Sequence, residues 1–224
     1  MKVLAFDSSG SGCAAAVLSG EHLLARESVA MLRGQAEHLV PMIGRVMGAA
    51  GLGFGALDLI AVTLGPGAFT GVRIGIATAQ GLALATRVPS LGLGNFEAVA
   101  AAVPESLLAG RALLVAIESR SDELFLQAFD GTKAALGEGA LVAAEHWRAA
   151  APPGPLVLAG DGAARLRSAF EDLDIMLAPG SGAIDPEALA RLAAERWRAG
   201  VRSERLEPRY LHAPDVTLAK GAAP

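Results

Sequence analysis

Ala5-Phe6-Asp7-Ser8, at the end of the first apolar run, has a counterpart in Ala116-Ile117-Glu118-Ser119 at the same point of the second half. Each sets an acid beside a hydroxyl where an extended segment breaks into a polar turn. A match of four residues means little alone; the order of elements around it makes it a repeat. After residues 2–6, segments 13–18 and 23–29 read as two further strands, with Gly20 and Glu21 at the tight turn between them. A helical pattern follows, with Leu39, Ile43, Val46, Met47 and Ala50 on one face. Pro41 lies inside it and predicts a start near Val40 or a kink. Residues 59–64 form a continuous apolar strand, Gly65-Pro66-Gly67 a turn, and 72–86 a strongly helical stretch. In the second half, 112–117, 123–129 and a weaker 140–142 read as strands, followed by helix 146–150, strand 156–159 and helix 163–170. Asp185-Pro186-Glu187 is a helix start, with Asp as N-cap, Pro in the first turn and Glu against the dipole; Gly200 stops that helix.

The pattern is two copies of a βββαβα unit, an α/β fold of mixed sheets flanked by helices. A Pro- and Gly-containing stretch between 103 and 110 separates them. The expected division is an N-terminal lobe over 1–105, a degenerate C-terminal repeat over 106–205, and a tail over 206–224. The tail packs back on the first lobe through Tyr210 and Leu211 and then frays.

Composition narrows the function classes. Of 224 residues 52% are apolar but only 4% aromatic, so the core is built from Ala, Val and Leu and favours close backbone approach. A net charge of −4 argues against this chain gripping nucleic acid alone, which needs a basic surface. One cysteine, Cys13, excludes an intramolecular disulfide and a multi-cysteine zinc site. His22, His38, His146 and His212 are scattered, with no pair at metal-ligand spacing, and Ser8 and Ser9 have no triad partners in view. No signal-peptide core or membrane span fits, and the expected setting is the cytoplasm.

Two constellations remain. Asp7-Ser8-Ser9-Gly10, with Glu118-Ser119-Arg120 as its second-half partner, suits a turn that holds a metal-bound nucleotide phosphate; polar residues also make ordinary hairpin turns. Gly65-Pro66-Gly67-Ala68-Phe69-Thr70-Gly71 is a glycine-rich turn into a helix, but it lacks the Lys-Ser/Thr of a P-loop and the spacing of a dinucleotide fingerprint. Beyond it, Gly71, Gly75, Ala79 and Ala83 recur every fourth residue, while Val72 and Ile76 mark a second face. Small residues at that spacing leave a groove into which another helix settles closely, driven in water by buried apolar area. Either another subunit or this chain's own sheet and preceding helix fills that groove.

These residues resemble the TsaB family, the dimerisation subunit of the machinery that makes threonylcarbamoyladenosine at position 37 of tRNA. The resemblance rests on GPGAFTGVRIGIATAQGLALA (65–85), VLAFDSS (3–9) and Leu39-Val40-Pro41, and more weakly on IESR (117–120) and PRYL (208–211). It implies an actin/Hsp70-like ATPase fold of two related RNase H-like lobes. It also implies a non-catalytic role: where the catalytic paralogue, TsaD, carries a His-x-x-x-His metal pair, this sequence has Asn95 and Val99. The implied partners are a TsaD-like catalytic subunit, a small TsaE-like ATPase recruited through the complex, and a second copy when the chain is alone. Contact with tRNA is then indirect, and ATP or ADP sits, if anywhere, at the junction with the partner. The expected pairing surface is Leu39, Ile43, Met47, Gly71, Val72, Gly75, Ile76, Ala79 and Ala83, and Asp7, Ser8 and Ser9 form a vestigial phosphate turn. The competing function is an ATP-binding or ATP-hydrolysing enzyme of the same fold; the old glycoprotease-like label finds no peptidase residues here.

Overall fold

The computed structural model describes residues 1–119, 122–180 and 182–211. The chain forms two five-stranded sheets. In the first, β1 (Lys2–Asp7), β2 (Gly12–Ser19) and β3 (His22–Ala30) form an antiparallel meander. Next, β4 (Leu59–Thr63) and β5 (Ser90–Leu93) add in parallel to give the order β3-β2-β1-β4-β5. In the second, β6 (Ala112–Glu118), β7 (Leu124–Phe129) and β8 (Ala140–Val142) repeat the meander. There β9 (Leu156–Ala159) and β10 (Ile175–Leu177) take the places of β4 and β5, so the order is β10-β9-β6-β7-β8. The duplication read from Asp7 and Glu118 is thus a repeat of sheet topology, and both acids end the central strand of their sheet.

Six α-helices accompany the sheets among the described residues: α1 (Gln35–Ala49), α2 (Phe69–Thr86), α3 (Asn95–Ala102), the short α4 (Trp147–Ala150) and α5 (Ala163–Leu166), and α6 (Pro186–Arg198). Strand β1 shows why they are needed. Its side chains alternate between faces, and both faces are apolar: Leu4 and Phe6 on one, Val3 and Ala5 on the other. Helices α1 and α2 cover the first face with Leu39, Met42, Ile43, Val46, Val72 and Ile76. The second face is covered by α6, through Leu189, Ala190, Ala193 and Ala194. A helix numbered with the second repeat therefore completes the first sheet's core, and α3 turns Phe96 and Ala100 toward the second sheet. The two sheets share this helical layer.

Several boundaries differ from expectation for local reasons. Helix α1 starts at Gln35, after Gly34 with φ 95°, and runs through Pro41. Pro41 is exposed, so the missing amide leaves a carbonyl to water rather than to the core. Strands β5 and β10, of four and three residues, were not among the expected strands. The start of α6 is as anticipated, with the Asp185 carboxylate accepting from the amides of Glu187 and Ala188. From the tail, Leu206 is buried in the core that α1 and α2 form with the first sheet, and the Arg209 amide donates to the Leu64 carbonyl at 2.7 Å. The Tyr210 ring stacks on Phe69 with centroids 5.3 Å apart. Residues 212–224, including His212 and the expected fraying, lie outside the described residues, as does Arg120 of the IESR segment.

Candidate functional site

The end of β1 delivers Asp7, Ser8 and Ser9 to a point where β4 and α3 also end or begin, and all three are about 1% exposed. Burial of so much polarity demands partners. The Asp7 Oδ1 accepts from the Ser9 amide at 3.0 Å and from the hydroxyls of Ser9 and Thr63. Asn95, at the start of α3, donates from Nδ2 to Ser9 Oγ at 2.6 Å, and its Oδ1 accepts from the Gly65 amide at 2.8 Å. The Ser8 hydroxyl donates to the Gly71 carbonyl at 2.8 Å, and the Ala68 amide donates to the Ser9 carbonyl at 2.7 Å. The turn expected to cradle a phosphate therefore directs these polar groups onto its own chain.

Glycine makes that closure possible. A Cβ at Gly71 would stand 2.0 Å from the Ser8 carbonyl oxygen, and one at Gly67 2.5 Å from that of Ser9. The Gly65–Gly71 loop lies directly on the Ser8–Ser9 turn, where no larger residue fits.

Between the sheets a narrow cleft remains, lined among others by Gly10, Asn95, Val99, Ile117, Asp161 and Ile184, with a cavity volume of about 90 Å³. Small-molecule sites usually enclose about 300–1,000 Å³. Two carboxylates meet beside it: Oδ2 of Asp7 and Oδ2 of Asp161 lie 3.9 and 3.8 Å from the position a Cβ would take at Gly10. Burial first, then the charges of Glu118 and Asp7, push the Asp161 carboxyl above its ordinary range. Burial and the Asp7 charge likewise raise the Cys13 thiol to about 11, which leaves it unreactive. Glu118 is engaged by Arg165 at 2.6 Å. Asp161 escaped the sequence reading, although the repeat held a signal for it. Gly160-Asp161-Gly162 follows β9 as Gly65-Pro66-Gly67 follows the equivalent β4, and the leading glycines share φ values of 98° and 100°. Among the described residues no group of three or more His, Cys, Asp and Glu side chains is placed to hold a metal ion.

The residues expected to pair with another subunit do not form an open groove. Leu39, Ile43, Met47, Val72, Ile76 and Ala79 are between 0 and 6% exposed, and Ala83 packs against the same core. A Cβ at Gly75 would meet Ser8 Oγ and a Val62 methyl at 3.2 Å. The small-residue row of α2 is filled by this chain's own Ser8–Ser9 turn and β4, because sheet packing takes the most apolar, closest-fitting face. What α1 and α2 leave outside is a different row. Val40 is 57% and Leu84 85% exposed. Gly44, Gly48 and Gly81 face open space, and Ala77 is exposed.

Comparison with known proteins places this architecture. A family model described as TsaD, tRNA N6-adenosine threonylcarbamoyltransferase, matches residues 30–191. The tRNA threonylcarbamoyladenosine biosynthesis protein TsaB of Haemophilus influenzae is 35% identical over 126 residues, covering 56% of this chain and 52% of that protein. The chain spans about half the length of the curated relatives it matches. The solved structure of YeaZ from Pseudomonas aeruginosa superposes with a TM-score of 0.78 at 29% identity, covering 94% of this chain and 99% of that one. Component A of the (R)-2-hydroxyglutaryl-CoA dehydratase of Acidaminococcus fermentans shares the fold alone, with a TM-score of 0.55 at 9% identity, covering 88% and 98% of the two chains. The architecture is the actin/Hsp70-like ATPase fold, and no helix among the described residues is long and apolar enough to cross a membrane. The chain belongs to the tRNA N6-adenosine threonylcarbamoyltransferase (TsaD) family, within which it stands in the TsaB group.

Proposed function

We propose that this chain is a non-catalytic pairing subunit of the assembly that forms N6-threonylcarbamoyladenosine at position 37 of tRNA, and that it docks a TsaD-like catalytic subunit on the outer faces of α1 and α2. The observation that carries the reading is the exposed row Val40, Gly44, Gly48, Ala77, Gly81 and Leu84. On each helix it sets small residues at helical spacing beside one exposed apolar side chain, Val40 on α1 and Leu84 on α2, where another helix can approach closely. This row replaces the inward-facing residues as the proposed interface. The absence of chemistry is supported by Asn95, whose amide is engaged by Gly65 and Ser9 at the position of a paralogue's metal ligand. Self-pairing through the same face, recruitment of a TsaE-like ATPase through the complex, and indirect contact with tRNA belong to this reading; any ATP or ADP would lie at the junction with the partner.

Gly81→Leu tests it. The substitution replaces a poor helix former at an exposed helix position, so stability should hold or rise by up to about 1 kcal/mol. Co-purification with the TsaD-family subunit of the same genome should be lost. A Gly81→Leu chain that still pairs with wild-type affinity rules this face out. Reconstituted modification that runs equally well without the chain removes the role itself. The second reading, a nucleotide-hydrolysing enzyme, draws on Asp7 and Asp161 at the cleft; ATP turnover by the purified chain, lost in Asp7→Asn, would favour it.

A further inference from the structure

At the second turn of α2 one arginine is held in place with its charged fork left open. The Arg73 Cζ lies 3.6 Å above the Phe69 ring, and its Nε donates to the Tyr210 hydroxyl at 2.8 Å. The two aromatic rings are themselves stacked, and Tyr210 is anchored by the neighbouring Arg209 amide on Leu64 and by buried Leu206. Among the described residues, neither Nη of Arg73 makes a hydrogen bond or ion pair. Most exposed arginines lose side-chain entropy when they bind. This one is already ordered, with two parallel N–H donors free, the geometry that takes a carboxylate in a bidentate pair.

Its surroundings select the ligand. Phe69, Tyr210 and Leu211 are about 40% exposed beside it, so the fork stands in apolar surface rather than in a basic tract suited to a nucleic-acid backbone. The charges of the α1–α2 face also suit an acidic partner better than a copy of itself. Helix α2 contains Arg73 and no acid, while α1 offers Glu37 as its one carboxylate and Arg45, which is neutralised by Glu27. Arg33 and Arg87 flank the helices, exposed and without an ion pair among the described residues. Two copies meeting on these helices would set Arg73 of each against a helix pair whose one unpaired carboxylate is Glu37.

We propose that Arg73, held by Phe69 and Tyr210, is a carboxylate clamp that makes the pairing face select the acidic helical face of a heterologous partner over a second copy of this chain. The proposal rests on the pairing function above and adds its specificity. Tyr210 is a positioning residue: it orders the guanidinium and contributes no charge.

The test measures binding of the TsaD-family subunit of the same genome, at low and high salt, to the wild-type chain and to Arg73→Ala, Arg73→Lys, Arg73→Glu and Tyr210→Phe. Self-association is measured in parallel by sedimentation, and Gly81→Leu serves as the control for the face itself. Far-ultraviolet circular dichroism and melting confirm that each variant folds. Losing a charge pair that becomes desolvated on docking should weaken heterologous binding about tenfold in Arg73→Ala, and about a hundredfold in Arg73→Glu, with a shallower salt dependence. Arg73→Lys should recover only part, since it keeps the charge and loses the fork, and self-association should hold or strengthen in Arg73→Glu. Binding by the Arg73 variants at wild-type strength and salt dependence, with Gly81→Leu abolishing it, overturns the clamp and leaves the pairing reading standing. Loss of self-association with heterologous binding intact makes the second copy the ligand and overturns the proposal. Lost retention of tRNA with pairing intact points to phosphate and overturns it too. If the wild-type chain binds no such partner, both readings fall together.

Discussion

Asp161 illustrates how a single carboxylate in this fold couples to stability. Its carboxyl is pushed up by burial and by the charges of Glu118 and Asp7, so the folded chain holds the proton more tightly than the unfolded one. Stability then falls as pH rises from the ordinary carboxylate range through the raised value, and the loss is complete above it. Asp161→Asn removes the charge and keeps an oxygen to accept from the Glu118 amide. It should be more stable than wild type near neutrality, and the gap should close in acid; urea unfolding across pH measures it. Close contact rather than charge governs Gly71. With Ser8 oxygen 2.0 Å from a Cβ, Gly71→Ala should cost at least about 3 kcal/mol and lower the urea midpoint sharply. Both glycine rows of α2 look alike as letters. Nothing local distinguishes Gly75, pressed on Ser8, from Gly81, which faces open space.

Among the elements, α6 was the most legible, because its start signal is chemical: an Asp cap, a Pro without an amide to lose, and a Glu against the dipole. Asp185→Ala should cost about 1 kcal/mol, read as a drop in melting temperature. Its packing was not legible. An amphipathic stripe states that a helix must bury Leu189 and Ala193, and it does not name the sheet that receives them; here that is the first. Helices α1 and α2 teach the converse. Periodicity located both helices and grouped Leu39 with Ile43, and Gly71 with Gly75. Those are the residues that bury deepest in their own core, so a face chosen for its fit turned inward and its plainer opposite faces out.

At the scale of the whole molecule, the two sheets repeat one topology around a shared layer of α3 and α6, and the cleft at Asp161 is narrow. A cavity of about 90 Å³ beside two carboxylates is a poor host for a triphosphate. Millimolar Mg-ATP should leave the melting temperature of the isolated chain unchanged, whereas a specific site with a micromolar Kd would add about 4 kcal/mol and raise it by several degrees. The duplication itself was readable from Asp7-Ser8 and Glu118-Ser119, since strand order and the acid that ends each central strand are written locally in alternation, turns and caps. The GPGAFTG segment was readable as a turn that launches a helix. Its role as a plug on the Ser8–Ser9 turn was not, nor were the approach of Asp161 and Asp7 to Gly10 and the ordering of Arg73 by a tyrosine from the tail. Each of these joins residues 58 to 154 positions apart, and such contacts follow from three-dimensional packing, in which every buried polar group must find a partner, rather than from any pattern a short stretch of chain can carry.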